Sequence, residues 1–189
     1  MKVIDSTAAF TGRTSVVALG MFDGVHIGHQ ALIRAAVALA DQLCAQSVVC
    51  TFDRHPLSVL CPERAPEPIL TLEENLRKFE RLGAQWALVE RFTPAFASIL
   101  PEDYLEMLVD RMRVKAIVIG ENHTFGRDGR GNARMVRQLA TKYGYQAKVV
   151  PSVTDADGLV SSTRIREMLR RGDRVRAEAL LAIAPETSR

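Results

Sequence analysis

The stretch GMFDGVHIGHQ, residues 20–30, places three glycines, an aspartate and two histidines directly after the apolar run SVVAL. Glycines let a chain turn sharply out of a strand and let backbone N–H groups approach a ligand closely. A helix starting here would point its unpaired N–H groups and the positive end of its dipole at the same place, so phosphate is the natural occupant. His26 and His29, half of the chain's four histidines, are spaced to donate hydrogen bonds to phosphoryl oxygens as charge builds in a transition state. Two other readings of the pair stay open, a metal pair and satisfied structural histidines. Metal pairs more often sit at i,i+4 on a helix with a carboxylate partner, as in H-E-x-x-H, and the sequence here has no such pattern.

VSSTRIR, residues 160–166, is the second constellation. Ser161, Ser162 and Thr163 at a helix start offer hydroxyls and N–H groups to an anion, and Arg166, one turn further on, can project toward the same end. A plain helix cap is the commoner explanation of such residues taken alone. The two constellations together are far more specific than either one.

The elements that must position them follow from periodicity. Apolar, β-branched runs at 15–20, 47–52, 85–90, 115–120 and 146–151 alternate with helical patterns at 29–43, 71–83, 101–112, 132–144 and 161–173. That alternation predicts a parallel sheet flanked by helices, with strands covered on both faces. Thr71 and Glu74 stand in capping-box spacing, and Gly83, Gly144 and Gly172 mark helix ends. Residues 53–70, holding four of the eight prolines, form the one long irregular stretch. Its place after the second strand puts it at the strands' C-terminal edge, where ligands bind in open α/β sheets.

Composition narrows the class. At 189 residues, 47% hydrophobic and 25% charged, the chain has the length and make-up of one globular domain, which excludes disordered and fibrous classes. A net charge of +3 is too small to imply a polyanion-wrapping surface. The arginines and lysines gathered between Gly126 and Arg176 suit a small charged phosphate ligand or simply solvated helix faces, and no nucleic-acid motif accompanies them. No signal-peptide core or membrane-length apolar run is present, so a cytoplasmic protein is expected. Cys44, Cys50 and Cys61 lack C-x-x-C spacing and read as small core residues.

GMFDGVHIGH, TFDRHP, IGENHTFGRDGRGN and VSSTRIREML, in this order and spacing, resemble the FMN adenylyltransferase module of bacterial bifunctional FAD synthetases, within the nucleotidylyltransferase superfamily. The resemblance covers about residues 15–175 and implies a Rossmann-like, doubly wound parallel sheet. It implies attack of the FMN 5′-phosphate on the α-phosphorus of ATP, with Mg2+ held largely by ATP phosphates and water, giving FAD and pyrophosphate. Carried over by motif, His26 and His29 would hold ATP phosphates and stabilise the transition state, Gly28 allowing close approach. Gly20, Phe22, Asp23 and Gly24 would shape the phosphate loop. Ser162, Thr163 and Arg166, with Ser161 and Arg164 beside them, would grip the phosphates that leave. His55, Pro56, Asn122 and Phe125 would form the flavin side.

Residues 1–175 are expected to be the nucleotidylyltransferase domain and 176–189 a short tail. The riboflavin kinase domain that follows this module in bifunctional members is expected to be absent, because the residues beyond the last motif are too few to form it. Arg54 in TFDRHP and His123 in ENHTFG depart from the commoner residues of the family. Alternatives remain: transfer to another phosphorylated acceptor, or a catalytically silent flavin- or nucleotide-binding regulator. Expected partners are small molecules only, with no nucleic acid and no membrane, and the oligomeric state stays unknown.

Overall fold

The computed structural model describes residues 1–183. In chain order the strands are β1 (Lys2–Ile4), β2 (Ser15–Leu19), β3 (Gln46–Phe52), β4 (Trp86–Glu90), β5 (Val114–Gly120), β6 (Thr124–Phe125), β7 (Gly131–Asn132), β8 (Gln146–Val150), β9 (Thr154–Asp155) and β10 (Gly158–Leu159). The helices are α1 (Ile27–Gln42), α2 (Leu57–Leu60), α3 (Leu72–Arg81), α4 (Pro94–Ala97), α5 (Pro101–Met112), α6 (Ala133–Tyr143), α7 (Ser162–Arg170) and α8 (Arg174–Leu181).

Six strands form one parallel sheet in the order β1-β4-β3-β2-β5-β8. The chain runs from β2 outward through β3 to β4, then returns to place β5 on the other side of β2. The C-terminal ends of β2 and β5 therefore flank the topological switch point, the ligand crevice of doubly wound folds.

Strand alternation builds two cores. Val16 and Ala18 pack with Leu32, Ile33 and Ala36 of α1 and Phe79 of α3, whereas Val17 and Leu19 pack with Leu105 and Leu108 of α5 and Val136 of α6. Both faces of β2 are buried along its whole length, which is why its sequence is apolar without alternation. All five expected strands and all five expected helices are present, within two residues of their sequence limits except at the end of α7, which stops three residues early at Arg170.

Three features differ from the sequence expectation. Strand β1 pairs in parallel with β4, Lys2 opposite Trp86, and extends the sheet by an edge strand too short to show a pattern. Residues 176–189 are not simply a tail: their first part belongs to α8, whose buried Ala177 packs with Ile165 and Met168 of α7, and residues 184–189 lie outside the described residues. Of the cysteines only Cys50 is a core residue; Cys44 is exposed and Cys61 half-buried, and all three are free.

Helix α3 begins with the complete reciprocal cap. Glu74 N–H donates to Thr71 Oγ1 at 3.2 Å and Thr71 N–H donates to Glu74 Oε2 at 2.8 Å. Thr71→Ala removes one half of that exchange and is expected to cost about 1 kcal/mol of stability, read as a lowered urea midpoint at unchanged slope. An unchanged midpoint would mean that water caps the helix equally well.

Candidate functional site

The glycine-containing loop of residues 20–26 leaves β2 in an unusual conformation. Phe22, Gly24 and Val25 all have positive φ, at 53°, 83° and 47°. For buried Phe22 and for β-branched Val25 this region is sterically costly, so surrounding contacts must impose it. Phe22 is wedged edge-on against the rings of His29 and Phe79. Gly24 N–H donates to Asn75 Oδ1 at 3.0 Å. The Asp23 carboxylate accepts from the N–H groups of Ile69 and Leu70, and Arg166 Nη2 pairs with it at 2.5 Å in a largely buried contact.

The loop delivers the chain into α1 with His26 as its cap. His29 N–H donates to His26 Nδ1 at 3.3 Å, which fixes the proton of a neutral His26 on Nε2. The two rings stack with centroids 3.7 Å apart and planes inclined by 16°. Burial lowers the pKa of His26 to about 4 and pushes His29 well below the ordinary imidazole range, with the neighbouring imidazoles adding to the effect on His29. Both rings are therefore neutral near pH 7, and protonating both at this separation would set like charges face to face. His29 Nδ1 is buried with no hydrogen bond among the described residues.

These rings open into a cavity of about 290 Å³ at the switch point, lined by Gly20, Phe22, His26, Gly28 and His29 on the β2 side, by Gly120, Asn122 and His123 on the β5 side, and by Ser161 and Ser162 across from them. A Cβ on Gly28 would lie 3.2 Å from the His26 ring, so a side chain there would crowd the imidazole. Pro151, Ser152, Val153 and Val160 complete the wall. The Asn122 amide donates to Ser152 Oγ at 2.9 Å and Glu121 accepts from Ser152 N–H, which ties the loops after β5 and β8 together.

The second constellation reaches the loop. Ser161 caps α7 by accepting from Arg164 N–H, and the Ser162 hydroxyl donates to the Asp23 carbonyl at 3.0 Å. Thr163 is exposed in the first turn and does not line the cavity. The Arg164 guanidinium, expected beside the phosphates, meets Asp155 and the carbonyls of Gly158 and Leu159, where it pins the β9–β10 hairpin to α7. Arg166, expected at the phosphates, is held by Asp23 and donates from Nε to the Glu67 carbonyl.

The four residues assigned to a flavin side do not share one cavity. Asn122 stands with the imidazoles. His55 lines a second pocket with Asp23, Thr51 and Asn75, its Nδ1 accepting from Leu57 N–H. Pro56 and Phe125 line a third cavity of about 300 Å³ with Phe52, Leu60, Phe92 and Phe96. Sequence reading missed most of this aromatic wall, because Phe52 and Phe92 meet only through the pairing of β3 with β4. It also missed Glu90, buried behind the same wall, which accepts from the Tyr104 hydroxyl at 2.6 Å and whose pKa burial raises to about 7. Lys78 and Gln30, which touch the phosphate loop from behind, carried no sequence signal beyond their helical positions.

A parallel α/β sheet with a glycine loop, two imidazoles and a hydroxyl-capped helix at its switch point is an arrangement that also occurs in Rossmann-like nucleotide-binding folds. The FAD synthetase family model matches residues 10–164. A Bacillus subtilis protein named bifunctional riboflavin kinase/FMN adenylyltransferase is 36% identical over 88% of this chain and 53% of its own length. A Geobacillus thermodenitrificans protein named putative bifunctional riboflavin kinase/FMN adenylyltransferase is 35% identical over 96% of this chain and 97% of its own. The chain thus spans about half the length of the Bacillus relative and nearly all of the Geobacillus one. A Streptococcus pneumoniae crystal structure described as a macrolide-efflux protein superposes with a TM-score of 0.82 at 32% identity, over 95% of this chain and 60% of that one. The chain belongs to the FAD synthetase family. Among the described residues no helix is long and apolar enough to cross a membrane.

The depressed imidazoles have a consequence for stability. Below the unfolded value of 6.5 the unfolded chain takes up protons that folded His26 refuses until about pH 4, so stability falls as pH drops through that window. Glu90 acts in the opposite sense, its folded-state proton stabilising at low pH and its contribution fading as pH rises through about 7. His26→Asn keeps a capping acceptor and removes the titration. It is expected to reduce the loss of unfolding free energy between pH 6.5 and 4 by roughly 1–3 kcal/mol, measured by urea unfolding at each pH. An unaltered pH profile would show that the acid sensitivity lies elsewhere.

Proposed function

We propose that this protein is a cytoplasmic, Mg2+-dependent FMN adenylyltransferase that joins the AMP unit of ATP to the phosphate of FMN and releases pyrophosphate. The observation that carries the reading is the meeting, at one switch point, of the strained phosphate loop, two neutral stacked imidazoles and the hydroxyl-capped start of α7. Family membership and the names of the relatives supply the acceptor.

In this reading ATP occupies the cavity of His26, Gly28, His29 and Asn122, its phosphates over the loop. The aromatic cavity of Phe52, Pro56, Phe96 and Phe125 takes the isoalloxazine, whose planar apolar rings suit edge and face contacts with phenyl groups. A phosphate oxygen of FMN forms the new bond to the α-phosphorus as the bond to the bridging oxygen of the leaving pyrophosphate breaks. Neutral His26, its proton on Nε2, and His29 donate to the phosphoryl oxygens as charge accumulates there. Ser162 and Arg166 take the leaving phosphates, which requires Arg166 to exchange part of its contact with Asp23 for the ligand; Thr163, exposed in the first turn of α7, would have to turn toward them to join.

Among the described residues no group of three or more His, Cys, Asp or Glu side chains is arranged to hold a metal ion. Asp23, the acid of the loop, is already committed to Arg166. In this reading magnesium would be carried by the ATP phosphates and water, and would supply positive charge against the departing pyrophosphate.

Incubation of the purified chain with FMN, ATP and magnesium, followed by chromatography, is expected to yield FAD and pyrophosphate. Failure to convert bound FMN would leave a nucleotide-binding protein and end the enzymatic reading. His29→Ala is expected to lower turnover by about 10²-fold while leaving the Kd for FMN within a factor of two, because its contact develops in the transition state. Equal losses in both quantities would remove that role from His29.

A further inference from the structure

Two donors, Gln30 buried and Lys78 half-buried, grip the back of the phosphate loop and the end of α8 together. Lys78 Nζ, from α3, donates to the Gly24 carbonyl at 3.1 Å and to the Leu181 carbonyl at 2.6 Å. Gln30 Nε2, from α1, donates to the Val25 carbonyl at 3.0 Å and to the Ala182 carbonyl at 2.9 Å. Gln30 is 2% exposed, and burial lowers the pKa of Lys78. The Leu181 side chain closes the same contact, since a Cβ on Gly24 would lie 3.1 Å from Leu181 Cδ2.

The geometry points to α8 as a brace of the phosphate loop, with Lys78 and Gln30 as positioning residues for nucleotide binding. A trans peptide holds its C=O and N–H antiparallel. Fixing the carbonyls of Gly24 and Val25 against α3 and α8 therefore aims the N–H groups of Val25 and His26 the other way. Neither N–H has a hydrogen-bond partner among the described residues. Val25 at φ 47° is the position where the loop would relax if released. The last carbonyls of a helix are orphan acceptors carrying partial negative charge, so those of α8 fit an ammonium and an amide donor without further partners. Removing α8 would leave Lys78 with one loop carbonyl and solvent in place of a fixed bridge.

This inference rests on the reading of the loop as a phosphate site but not on transfer to FMN. Because the loop and α8 share their donors, binding at one must stiffen the other. ATP binding by calorimetry and amide exchange of the wild-type chain test it first. Saturating ATP is expected to slow exchange of the amides within 174–181 by about fivefold or more. ATP that binds without altering exchange there overturns the proposal.

Lys78→Met, and separately Ala177→Glu to undock α8, are each expected to raise the Kd for ATP roughly tenfold with the Kd for FMN unchanged. Lys78→Arg should restore most of the affinity. The double variant should lose no more than the worse single one, because both changes sever the same bridge. Additive losses, or equal weakening of ATP and FMN, would mean general destabilisation and overturn the brace. ATP binding together with an absence of FAD formation would refute the proposed activity alone.

Discussion

The buried ion pair between Asp23 and Arg166 is the contact on which the site depends. One carboxylate takes the guanidinium of α7 and the N–H groups of Ile69 and Leu70, while the Asp23 carbonyl takes the Ser162 hydroxyl. Three segments far apart in sequence, the loop after β2, the end of the irregular stretch and the start of α7, meet at one residue. Burying such a pair is costly unless its remaining hydrogen-bonding capacity is met, and here main-chain donors meet it. Its value is less in stability than in geometry, because it fixes α7 relative to the loop.

Around that contact the loop is a strained element held from several sides. Asn75 takes the Gly24 N–H, Phe79 packs on Phe22, and Lys78 and Gln30 hold two carbonyls. All three α3 residues lie on one helical face, at i, i+3 and i+4, so one short helix begun by the Thr71 cap supplies much of the support. The loop's conformation is a property of tertiary packing rather than of its own glycine. The imidazoles then inherit their setting: the cap on α1 fixes one proton, and burial keeps both rings neutral.

How much of this was legible in the sequence follows from where the information resides. Strands such as SVVAL and KAIVIG are buried on both faces, so composition alone marks them, and periodicity marks α3, α5 and α6. His26, His29, Gly28, Ser161 and Ser162 converge as their motifs imply, because each motif is local and its position at a strand end or helix start is set by topology. The destinations of Arg164 and Arg166 were not legible. Both lie in one short motif, yet Asp155 in a hairpin and Asp23 in the first loop decide where each guanidinium goes, and neither pairing has a local signature. Separation of His55, Pro56, Asn122 and Phe125 among three cavities depends likewise on strand order. Helix α8 escaped notice because the one residue it buries is a small alanine, Ala177, and its hold on the loop runs through backbone carbonyls, which every sequence carries.

Strand order also has a consequence for assembly. The central strand β2 finds β3 after a single helix, but its other neighbour, β5, begins only at Val114, and edge strand β1 at Lys2 waits for Trp86. During synthesis the first strand therefore stays without its partner while the middle of the sheet can already pair, and the crevice between β2 and β5 forms only once the chain has passed Gly120. The halves of the ligand cavity are made at different times, and α7, arriving last of its walls, closes it.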